Sequence, residues 1–99
     1  MMKALEEIKT ILAEHKHELH EKYYVQSIGI FGSYVRGDQT PESDVDILVD
    51  FDKPIGWEIV DLHEYLETIL GMKVDLATSG AVTRKPLLWE SIQNDLVSV

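Results

Sequence analysis

The sequence predicts a small α/β (α+β) domain, with helices packed on a mixed β-sheet of three or four strands. Three observations predict it. Runs with apolar residues at three- and four-residue steps alternate with short β-branched and aromatic runs. Gly, Pro and Ser clusters separate them. Ninety-nine residues, 44 % of them hydrophobic, suffice for one core, so the chain is read as one domain over residues 1–99.

Met1 to about Lys22 is a predicted helix, with Leu5, Ile8, Ile11, Leu12 and Leu19 on one face. Tyr23 to Phe31 is aromatic and β-branched and reads as a buried strand, ended by Gly32-Ser33. Ser33 to Gly37 fits one helical turn, and Asp38 to Ser43, with Pro41, a polar loop. Asp44 to Phe51 is a second strand with Val45, Ile47 and Val49 on one face. After the Lys53-Pro54-Ile55-Gly56 turn, Trp57 to Leu70 is a helix. Its apolar set is Trp57, Val60, Leu62, Leu66, Ile69 and Leu70, and Gly71 is its C-terminal cap. Lys73 to Thr78 is a third strand and Ser79 to Lys85 a loop. Pro86 to about Asp95 is a helix with Pro in its first turn, and Leu96 to Val99 a short strand or tail.

Composition excludes several functions. No apolar run approaches the ~20 residues of a membrane span, and the acidic start Met-Met-Lys-Ala-Leu-Glu-Glu is unlike a secretory signal. With no cysteine there is no disulfide framework or thiolate metal site, and the expected compartment is the cytoplasm. Nine Lys+Arg against eighteen Asp+Glu give a net charge of −9, and the basic residues do not cluster. A direct nucleic-acid binder needs a basic track. An acidic chain suits a basic protein partner, or carboxylates gathered around cations.

The chemistry concentrates in Gly32-Ser33-Tyr34-Val35-Arg36-Gly37 and Ser43-Asp44-Val45-Asp46-Ile47. On a strand, Asp44 and Asp46 leave the sheet on one face, and a divalent cation relieves the repulsion between them. Asp75, in Val74-Asp75-Leu76, joins that face if its strand neighbours theirs, and three carboxylates make a two-metal site plausible. Gly32 lets backbone N–H groups approach phosphate oxygens, Ser33 adds a hydroxyl, and Arg36, one helical turn on, offers a guanidinium fork to a phosphate or to the loop that follows.

Gly-Ser, ten residues, then Asp-x-Asp resembles the signature of the DNA polymerase beta–type nucleotidyltransferase superfamily. The fuller set Gly32, Ser33, Arg36, Gly37, Ser43, Asp44 and Asp46 resembles the minimal nucleotidyltransferases (MNT), antitoxin halves of HEPN/MNT toxin–antitoxin pairs. The resemblance implies the nucleotidyltransferase fold, with Asp44, Asp46 and Asp75 as catalytic carboxylates and Mg²⁺ ligands, two ions in all. It implies ATP as substrate, held by Gly32, Ser33, Arg36 and Ser43. It further implies AMP transfer to a tyrosine of a HEPN ribonuclease partner in a hetero-oligomer.

Other readings stay open. The chain could mask a toxin by contact alone, or modify a small molecule with the help of a second subunit. His15, His17 and His20 lack the i, i+4 spacing of helical metal ligands and read as a solvated face. Trp57, Tyr65 and Trp89 read as core or partner packing rather than as an adenine cover.

Overall fold

The computed structural model describes residues 3–99, so the expected helix residues Met1 and Met2 lie outside the described residues. Four strands, β1 (Val25–Phe31), β2 (Val45–Phe51), β3 (Val74–Thr78) and β4 (Val97–Ser98), form one sheet in the order β3-β2-β1-β4. β1 pairs antiparallel with β2 and with β4. β2 and β3 run parallel, joined by a helical crossover. The sheet is therefore mixed, as expected.

Period-2 alternation along β2 divides the core. Val45, Ile47 and Val49 turn to the face covered by helices α1 (Leu5–Glu14), α2 (Lys16–Tyr23) and α4 (Glu58–Leu70). There they meet Ile8, Leu12, Leu19, Leu62, Leu66 and Leu70, all fully buried. Each such side chain contributes roughly 1.5–3 kcal/mol by leaving water. Leu48 turns to the other face, against Val82 of α5 (Ser79–Val82) and Ile92 of α6 (Pro86–Asp95). Asp46 and Asp50 share Leu48's phase, so Asp46 lies on the thinner-covered face.

The structure corrects several expected boundaries. The first helix is two, broken at His15. His15 Nδ1 meets the Ile11 carbonyl at 2.7 Å, the position its own backbone N–H would take in a continuous helix. That N–H turns instead to Leu12 O. β1 starts at Val25 rather than Tyr23, because Tyr24 caps α2 in the left-handed region at φ 60°. The Lys53 ammonium lies 3.8 Å from the centre of its ring. β2 starts at Val45 rather than Asp44, and β3 at Val74 rather than Lys73. Trp57 precedes α4 and is 88 % exposed, and Val60 faces solvent, so neither belongs to the apolar set assigned to that helix. Ser79 to Val82, expected as loop, is the short helix α5, whose Ala81 N–H donates to Thr78 Oγ1. Gly71 caps α4 at φ 66°, as its position indicated. Among the described residues, no helix is long and apolar enough to cross a membrane.

Candidate active site

Gly32 organises the site. It ends β1 and starts the one-turn helix α3 (Ser33–Arg36), buried, at φ 81° and ψ −149°. An L side chain rarely adopts that conformation. A Cβ at Gly32 would also overlap the Asp46 carboxylate, so glycine serves both the turn and the close approach. The Gly32 carbonyl accepts from the N–H groups of Val35 and Arg36, and the Ser33 carbonyl from those of Gly37 and Asp38. The N–H groups that open this turn have no carbonyl one turn behind them. They and the Ser33 hydroxyl are the donors suited to an anion beside the glycine.

β-sheet register brings the acids together. Asp46 pairs with Phe31 on the β1 side and with Asp75 on the β3 side. Parallel neighbours in register send their side chains to one face, so the two carboxylates meet. The Asp46 carboxyl is half-buried and pushed up to about 6. Burial is the largest cause, followed by the Asp75 carboxylate within hydrogen-bonding reach and then Asp44, while Arg36 opposes them. Asp44 sits apart. It lies outside the strand, exposed, and lines a groove with Tyr34, Ser43 and Lys73. Burial, then the charge of Asp44, raises the Tyr34 phenol.

Arg36 and Ser43, both expected at the nucleotide, make contacts within the protein. Arg36 Nη1 donates to Asp95 Oδ2 at 2.8 Å and Nε to Asp38 Oδ2 at 3.2 Å. The guanidinium ties α3 to the end of α6, and these carboxylates, Asp95 first, raise its proton affinity. Ser43 Oγ accepts from Thr40 N–H at 2.9 Å, closing the loop that delivers Asp44. Asp95 lies 59 residues from Arg36 and carries no sequence signal.

Gly32, Asp46 and Asp75 thus converge, with Ser33 beside them. Asp44 reaches Asp46 only through its charge. The expected set of three carboxylates is not assembled: among the described residues no three acidic or histidine side chains form a cluster able to hold a metal ion. The Asp46–Asp75 pair still fits a divalent cation. Its oxygen donors are hard, Gly32 leaves room for the Asp46 carboxylate, and the raised proton affinity of Asp46 marks a site that gains from positive charge.

A mixed sheet with a Gly-Ser turn set over paired strand carboxylates is the architecture of a nucleotidyl-transferring enzyme. The model of the nucleotidyltransferase domain matches residues 12–98. MJ1379 of Methanocaldococcus jannaschii, provisionally named a protein adenylyltransferase, is 52 % identical over 101 residues, covering 99 % of this chain and 100 % of that one. The protein adenylyltransferase MntA of Thermococcus cleftensis is 51 % identical over 82 residues, covering 82 % of this chain and 83 % of its own. The fold also matches a chain in the rebuilt structure of a tri-AMPylated HEPN toxin of Shewanella oneidensis in complex with an MNT antitoxin. The TM-score is 0.63 at 19 % identity, covering 92 % of this chain and 70 % of that one. This chain belongs to the minimal nucleotidyltransferases of the nucleotidyltransferase-domain family.

Proposed function

We propose that this nucleotidyltransferase is an Mg²⁺-dependent protein adenylyltransferase that moves AMP from ATP to a tyrosine hydroxyl of a HEPN ribonuclease toxin and so silences it. The observation that carries the reading is the Asp46–Asp75 pair against Gly32. The names of the relatives at 52 % and 51 % identity, and the AMPylated HEPN toxin in the complex of like fold, support the reaction and the partner class.

Asp46 and Asp75 would hold Mg²⁺, with Asp44 recruited from the groove side as a third ligand. When bound, Mg²⁺ neutralises phosphate charge and lowers the pKa of the attacking hydroxyl. Ser33 and the N–H groups opening α3 donate to the β- and γ-phosphate oxygens. Asp75, more exposed than Asp46, takes the tyrosine proton. The phenolic oxygen forms its bond to the α-phosphorus as the bond to the β-phosphate bridging oxygen breaks, and pyrophosphate leaves. Arg36 keeps the phosphate turn docked on α6. The net charge of −9 suits docking on a basic ribonuclease.

The test is co-expression with the HEPN chain, followed by intact-mass measurement. One or more AMP units on the partner, lost in Asp46→Asn, are expected. An unmodified partner that is still neutralised would favour masking by contact alone.

A further inference from the structure

The backbone just before Asp75 is held from the side opposite β2. β3 is an edge strand, and its peptide groups alternate between β2 and the open edge. Val45 N–H donates to Lys73 O, so Val74 turns its own N–H and C=O outward. Water satisfies such groups on an ordinary edge. Here two side chains of α4 take both. Val74 N–H donates to Glu67 Oε2 at 2.9 Å, and His63 Nε2 meets Val74 O at 2.7 Å. His63 and Glu67 are one helical turn apart, 3.6 Å from each other.

This clamp faces a specific load. Asp46 and Asp75 bring like charges together across β2 and β3. Their repulsion tends to push β3 outward, where, among the described residues, no further strand resists it. α4 packs on the sheet through Leu62, Leu66 and Leu70, which are fully buried, so it is a firm anchor. We propose that His63 and Glu67 are positioning residues that lock Val74 and thereby hold Asp75 beside Asp46 for nucleotidyl transfer. The inference rests on the reading of Asp46 and Asp75 as the working carboxylates.

The test uses the full chain with ATP, Mg²⁺ and the co-expressed HEPN chain. Glu67→Ala is expected to lower kcat about tenfold or more, because small displacements of a catalytic group are costly. KM for ATP should stay within about twofold, since the Gly32-Ser33 turn is untouched. Glu67→Gln keeps an oxygen that accepts from Val74 N–H, and should return kcat to within about twofold of the parent. His63→Ala should act in the same direction as Glu67→Ala, and carries the test if Glu67→Ala does not fold. A readout free of turnover is hydrogen exchange at the Val74 amide in the metal- and nucleotide-free chain. It should speed up about tenfold in Glu67→Ala and not in Glu67→Gln.

Faster exchange with unchanged kcat would overturn the clamp. So would a loss that Glu67→Gln shares with Glu67→Ala, or one carried entirely by KM for ATP. Asp46→Asn and Asp75→Asn separate this inference from the reading beneath it. If both retain full activity, the carboxylate reading falls and takes the clamp's role with it. If both are inactive while the clamp variants run at the parent rate, only the clamp falls.

Discussion

Asp46→Asn should stabilise the metal-free protein at neutral pH while abolishing its activity. The Asp46 carboxyl is raised from its ordinary 3.8 to about 6, by burial first and then by Asp75 and Asp44. The folded chain therefore holds this proton more tightly than the unfolded chain, so ionising Asp46 works against folding. The penalty is absent below about pH 4, grows as the pH rises, and is complete above about pH 6. At about 1.4 kcal/mol per tenfold change in proton affinity, its ceiling is about 3 kcal/mol. Asp46 is only half-buried, and solvent screening brings the expected value to about 1–2 kcal/mol. Asparagine removes the charge and its N–H can donate to Asp75. Denaturant unfolding of parent and variant at pH 4 and pH 8 checks this: equal stability at pH 4 and the variant ahead by about 1–2 kcal/mol at pH 8. The proposed AMP transfer should fall at least about 100-fold. A variant equal to or less stable than the parent at pH 8 would refute the account of the paired acids.

Further predictions follow from the same geometry. Gly32→Ala places a Cβ against the Asp46 carboxylate at a positive φ, and should cost about 1–3 kcal/mol in unfolding experiments and most of the transferase rate. Arg36→Ala leaves Asp95 without its guanidinium partner, so the melting temperature should fall; high salt should lower the parent toward the variant in the same scan. Leu66→Ala removes a fully buried side chain beneath the sheet and should cost about 2–5 kcal/mol by chemical denaturation. Trp57→Ser changes a side chain 88 % exposed, so the stability of the isolated chain should move by less than about 0.5 kcal/mol.

Local patterns reached far into this fold. The alternation of Val45, Ile47 and Val49 identified the buried face of β2, and the steps Leu62, Leu66 and Leu70 the buried stripe of α4. Both depend on backbone period, a property of neighbouring residues. The same reasoning misplaced Trp57 and Val60, because period alone cannot say where a helix runs past the sheet it covers. It also missed the break at His15, where a side chain takes the place of a helical backbone donor.

Legible in the sequence alone were a Gly-Ser turn and an Asp-x-Asp pair with ten residues between them, and their resemblance to a known family implied the enzyme class. A tight turn and a two-residue strand period are set within a few residues, so local chemistry specifies them. Tertiary structure alone decided which acids meet. The sheet order puts Asp75 beside Asp46, the boundary of β2 leaves Asp44 on the groove side, and Arg36 is taken by Asp95. Those partners are joined only through long-range packing, where strand order and helix placement are settled by burial of the whole core rather than by the residues next door.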